Sequence, residues 1–111
     1  MKARWLFVPA IAAVMMAGQA NATLSKDEAL ALAKKSGCLA CHSIEKKVVG
    51  PAWKDVSAKY KGDGSMKAKL VAKVKAGGKG VWGQVPMPPY SPRVADADIE
   101  KLVDFVLSIA K

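Results

Sequence analysis

Cys38-Leu39-Ala40-Cys41-His42 decides how the rest of this 111-residue chain is read. Two thiols stand three positions apart and an imidazole follows at once. That is the attachment signature of a c-type haem: one helical turn brings both thiols to the two porphyrin vinyl groups, and the next residue lies under the ring to bind iron. The chain contains a single histidine, so any haem it holds takes His42 as proximal ligand. Other uses of the string are a thioredoxin-like redox pair, a zinc site or chance. The first needs alternating strands and helices, which the sequence does not show. The second needs four ligands, and Cys38, Cys41 and His42 supply three. A disulfide between residues so close would restrain the unfolded chain very little.

Upstream, Lys2 and Arg4 precede the apolar run Trp5 to Ala17, and Ala20-Asn21-Ala22 is a small-x-small cleavage site. This is the layout of a secretory signal peptide, and the apolar run is shorter than the roughly 20 residues that span a membrane. Residues 1–22 are therefore expected to be a signal peptide, with a retained anchor as the alternative, and residues 23–111 a single domain. The formal charge of +9 falls by two when Lys2 and Arg4 leave. A domain so small needs a staple such as a metal or cofactor.

Downstream and around the motif the pattern is helical throughout. Ser25 with Glu28 forms a capping box and Gly37 a stop, which predicts a helix from about Lys26 to Ser36. Gly50-Pro51 predicts the start of a second, because proline costs no hydrogen bond at the first helical position. Ala52, Val56 and Tyr60 recur at four-residue spacing, and Gly62-Asp63-Gly64 ends the run. Ser65 is expected to cap a third helix carrying Leu70, Val71 and Val74, stopped by Gly77-Gly78. Ile99, Leu102, Val103 and Val106 give the apolar stripe of a last helix running from near Asp96 almost to Lys111. The fold class is all-α, with four helices or three and a fragment.

Between the last two helices lies a stretch of glycines and prolines from Gly77 to Arg93, too long for a structureless loop without a function. Trp82, Val85, Met87 and Tyr90 within it are expected to be buried. The sixth iron ligand separates an electron carrier from a reactive haem. Met66 sits in a lysine-rich helix, where packing explains it. Met87 sits in Pro86-Met87-Pro88-Pro89, where prolines stiffen the backbone and hold a thioether in place at little entropy cost. Met87 is thus the expected ligand.

On Cys38-Leu39-Ala40-Cys41-His42, Val49-Gly50-Pro51-Ala52, Gly80-Val81-Trp82-Gly83 and Pro86-Met87-Pro88-Pro89, the chain resembles the small bacterial class I cytochromes c that carry electrons to nitrite reductases and terminal oxidases. The resemblance runs from about Ser25 to Lys111. It implies a cytochrome c fold, about four helices wrapped around one covalently attached haem c, with the terminal helices crossing near the attachment turn. It further implies that the Pro51 carbonyl accepts the second ring N–H of His42, that the Trp82 indole reaches a haem propionate, and that Lys73 lies near a propionate. The chain departs from its relatives at Tyr90, where a relative has an amide that bonds the methionine sulfur, and in a longer Ser91 to Arg93 stretch. Leu32 and Ala33 stand where many relatives carry an aromatic, so Phe105 is expected to fill that contact.

Ten lysines lie between Lys46 and Lys79, against Asp55 and Asp63 alone, while Asp96, Asp98, Glu100 and Asp104 gather near the C-terminus. The resulting dipole suits an acidic redox partner, with nitrite reductase, a terminal oxidase or quinol-cytochrome c reductase as candidates. Leu39, Ala40, Val48, Val49 and Val85 are candidates for a small apolar contact near the haem. Export argues against nucleic acid, and no stable membrane insertion is expected after cleavage. The expected function is that of a monomeric, soluble periplasmic one-electron carrier and not an enzyme. The alternatives are a haem subunit of a larger complex, or a haem enzyme or gas sensor in which Met87 leaves. The latter usually needs a distal acid or base, and no second histidine exists to serve.

Overall fold

The computed structural model describes residues 24–110. The expected signal peptide and its cleavage site lie outside the described residues. Four α-helices follow one another: α1 (Lys26–Ser36), α2 (Trp53–Lys59), α3 (Met66–Ala76) and α4 (Asp96–Ser108), with a short 3-10 turn at Cys38–Ala40. Among the described residues there is no strand, only isolated bridges between His42 and Lys47 and between Gly78 and Met87.

α1 has the predicted bounds because its signals are local. The Glu28 amide donates to Ser25 Oγ at 3.2 Å, and the Ser25 amide donates to Glu28 Oε1 at 3.0 Å. Gly37 closes the helix in the left-handed conformation, φ 87°, where a side chain would be strained.

Two other starts differ from expectation. α2 begins at Trp53 with Ala52 at the N-cap, so Pro51 stands ahead of the helix and not in its first turn. A tertiary bond to its carbonyl, described below, holds it there. α2 is also short, giving way at Tyr60. Ser65 does occupy the N-cap position of α3 but makes no capping bond. Its hydroxyl donates instead to Asp63 Oδ1 at 2.6 Å, an Asx-type competition for the same group.

α4 is the hub: α1, α2 and α3 all pack against it. Its buried face, Ile99, Leu102, Val103, Phe105 and Val106, is the predicted stripe. Burying each of these side chains is worth about 1.5–3 kcal/mol, more than the ~1 kcal/mol of a good cap. Burial therefore fixes α4 although Ala95 at its N-cap offers no side chain bond. One core cluster joins Ala29, Ala33 and Cys38 to Trp53, Val56, Leu102, Phe105 and Val106. Ala29 and Ala33 are fully enclosed, and Phe105 shares their cluster, as expected of a ring filling the space left by a small residue. A second cluster joins Tyr90, Val94, Ile99 and Val103, with Met87 packed on its edge.

Ser57 is the one buried polar side chain of the core among the described residues. Its hydroxyl donates to the Leu107 carbonyl at 3.1 Å and accepts from the Ala110 amide at 2.8 Å. It thereby satisfies groups that the end of α4 would otherwise leave unpaired.

Candidate functional site

Between the two clusters lies a cavity that gathers most of the residues singled out by sequence. Cys38, Cys41, His42, Pro51 and Trp53 line it from the first half of the chain, Lys73 and Val74 from α3, and Trp82, Val85, Met87 and Tyr90 from the later loop. A shallower depression beside α3, with Lys67, Ala68, Val71, Ala72 and Lys75, holds no thiol, imidazole or thioether.

The imidazole is held from several directions. The chain after His42 folds back on itself: the Gly50 and Val49 amides both donate to the Cys41 carbonyl, at 2.7 and 3.2 Å, and the Trp53 amide donates to the Ser43 carbonyl at 2.9 Å. This brings the Pro51 carbonyl to 2.9 Å from His42 Nδ1. A carbonyl only accepts, so Nδ1 carries the proton and Nε2 keeps its lone pair free for a metal. Gly50 sits so close that a Cβ there would lie 2.6 Å from His42 Cε1. The Trp53 indole stacks on the imidazole, centroids 5.6 Å apart and planes at 26°.

No disulfide joins the two cysteines; Cys38 is buried and Cys41 half-buried. Burial pushes the Cys38 thiol above its ordinary pKa, an effect that its own backbone hydrogen bond and Arg93 only partly oppose. A low-pKa redox thiol needs the reverse.

Met87 is bonded both ways to Gly78: its amide donates to the Gly78 carbonyl at 2.8 Å and its carbonyl accepts from the Gly78 amide at 3.0 Å. Gly77, at φ 77°, lies under this bridge, and a Cβ there would come within 2.5 Å of the Met87 carbonyl oxygen. Beyond the prolines, the Tyr90 amide donates to the Val74 carbonyl at 3.0 Å and so ties the loop to α3. Met66 heads α3 and is not among the cavity's lining residues.

The expectation that the loop's large apolar side chains are buried holds for only part of it. Tyr90 is buried, with Arg93 over its ring at 4.8 Å, and Met87 is half-buried. Trp82 and Val85 are 40% and 64% exposed, because they rim the cavity on a segment with no helix of its own. The Trp82 ring meets Tyr60 edge-on at 6.3 Å, and Lys59 Nζ lies 5.7 Å from both rings. Val48, Val49 and Val81 are exposed as well. Lys47, Lys73 and Lys79 stand among these apolar groups at the cavity wall, which gives the mouth a mixed apolar and cationic rim.

Sequence reasoning missed Trp53. Its signal was its position, two residues after Pro51, because whatever fixes the Pro51 carbonyl beside His42 also carries residue 53 to the ring.

The residues fit a haem: paired thiols on one tight turn, an imidazole with the correct nitrogen free, and a largely apolar cavity wall. Fold and cavity together define a small helical haem-binding domain. The chain belongs to the cytochrome c family, whose model, described as cytochrome c, matches residues 27–110. It is 59% identical over 80 residues to cytochrome c-551 of Allochromatium vinosum, covering 72% of this chain and 84% of that protein. Against cytochrome c-552 of Nitrosomonas europaea the identity is 46% over 109 residues, or 98% of this chain and 99% of that protein. The crystal structure of the wild-type Nitrosomonas europaea protein superposes with a TM-score of 0.68 at 50% identity, over 72% of this chain and 98% of that one. The cofactor is one covalently bound haem c with its iron, and the chain is an electron-carrying cytochrome. No helix among the described residues is long and apolar enough to cross a membrane.

Proposed function

We propose that this chain is a soluble periplasmic one-electron carrier, exported by residues 1–22 and released by cleavage after Ala22. The haem is held by thioether bonds from Cys38 and Cys41, and its iron is ligated by His42 and Met87. The observation that carries this reading is that the attachment turn, the His42 imidazole and the proline-bound Met87 all line one cavity. When bound, the haem iron supplies a one-electron couple, and thioether ligation raises its potential.

The chain's own residues do the rest. Pro51 holds the Nδ1 proton of His42 and thereby directs Nε2 inward. The Gly78–Met87 bridge presents the methionine, and Trp82 is assigned to a propionate through its indole N–H. The largely apolar cavity wall offers few polar groups that would have to reorient during transfer. The exposed valines beside Lys47, Lys73 and Lys79 suit brief contact with an acidic redox protein, where charge steers approach and a small apolar area allows release.

Replacing Met87 by Ala tests the assignment. The visible spectrum of the reduced protein should change, its potential should fall, and carbon monoxide should bind readily while wild type resists it. Met66→Ala should leave all three unchanged. A Met87→Ala protein with wild-type spectrum and resistance to carbon monoxide would overturn the ligand assignment. Acid denaturation and solvent extraction check the attachment, since colour leaving the polypeptide contradicts thioether bonds.

A further inference from the structure

We infer that Trp53 is a positioning residue that sets the direction of the His42 imidazole plane. The inference rests on the reading of His42 as an iron ligand. An imidazole hinged on its side chain and tied by one hydrogen bond, Nδ1 to the Pro51 carbonyl at 2.9 Å, can still swing about the line of that bond. Two groups limit the swing. The Gly50 backbone abuts the Cε1 edge so closely that no Cβ fits between them. The Trp53 indole covers the ring at 5.6 Å and 26°, within the range of attractive aromatic stacking.

The indole is itself held on several sides. It is 6% exposed; the Phe105 ring meets it edge-on at 6.4 Å and 79°; and its backbone amide is bonded to the Ser43 carbonyl at 2.9 Å. Orientation therefore passes from α4 through Phe105 and Trp53 to the ligand ring. Residues that lock a ligand's orientation from behind tune the metal as well as hold it.

Together with the direction of the Met87 thioether, the imidazole direction governs how unpaired spin spreads over a low-spin ferric haem. It is read from the electron paramagnetic resonance g-values and from the order and spread of the haem methyl proton shifts. Purified haem-bearing protein is compared as wild type, Trp53→Met and Trp53→Phe. Methionine fills much of the volume without a flat face, and phenylalanine keeps a flat face in less volume. Trp53→Met should move the g-values and reorder the methyl shifts, whereas Trp53→Phe should keep the wild-type pattern, with both variants less stable to urea. Wild-type g-values and shifts in Trp53→Met would overturn the proposal and leave Trp53 as a core residue only. If neither variant accumulates, wild type decides alone. Shifts of the His42 ring protons linear in inverse temperature support a single fixed orientation, and curved plots, the mark of a swinging ring, refute it. The ligand assignment fails separately, on a His42→Ala protein that keeps the wild-type ferric spectrum.

Discussion

The two walls that carry the iron's proposed ligands are built differently. Residues 38–53 form a knot of backbone hydrogen bonds onto the Cys41 and Ser43 carbonyls, backed by the core cluster of Cys38, Trp53 and Phe105. Residues 77–90 form a strap: one two-way bridge at Gly78 and Met87, ties to α3, prolines, and exposed side chains at Val81, Trp82 and Val85. The imidazole is half-buried and stacks on the core through Trp53, and the thioether packs on the edge of the second cluster. Disturbing the first wall should therefore cost fold and site together, while disturbing the second should reach the site and largely spare the fold.

Gly50→Ala should have the largest effect. The new Cβ collides with the imidazole, and overpacking of this kind costs about 1–3 kcal/mol. Urea unfolding should shift to lower denaturant and the visible spectrum should change in the same protein. A normal spectrum with lowered stability would separate ligand from core and break the contrast between the walls.

Gly77→Ala comes next. A side chain at positive φ against the Met87 carbonyl carries local strain of about 1–3 kcal/mol, but a strap relaxes where a knot cannot. The urea midpoint should move less than for Gly50→Ala, while amide exchange in residues 77–90 quickens and carbon monoxide gains access. A midpoint loss equal to that of Gly50→Ala would show the strap to be as integral as the knot.

The smallest effect lies outside both walls. Bonds from Ser25 hold the Glu28 carboxyl below its ordinary pKa. Its contribution to stability is therefore present above that ordinary value and lost as pH falls through the lowered folded one. Glu28→Gln should be slightly less stable than wild type near neutrality, and the gap should close on acidification. Urea titrations at several pH values check this, and a gap that widened in acid would contradict it. The haem spectrum should not change.

What could be read from sequence was what is decided locally. Ser25 and Glu28 start α1 and Gly37 stops it through bonds to residues at most four positions away, and the α4 stripe is long enough for its period to be unambiguous. Cys38, Cys41 and His42 fall within five residues and Met87 is marked by its flanking prolines, and one cavity gathers all four. What escaped depends on distant partners. Pro51 looks like a helix start because nothing nearby shows that His42 will use its carbonyl. Ser57 carries no local mark of burial, because its partners Leu107 and Ala110 are brought to it by α4. Ser65 looks like a cap, but Asp63 competes for it. Trp82 and Val85 look like core, and their exposure follows from the loop lying along a cavity rim.

The dependence of every other helix on α4 also has a consequence in time. The chain is synthesised from its N-terminus, so the residues of α4 emerge after α1, α2 and α3, which must settle against them. Until they arrive, Cys38 has no α4 side chains to close over it and no Phe105 behind its neighbour Trp53. Cys38, buried in the folded chain, is thus reachable until α4 docks, and that docking is what closes over the attachment turn.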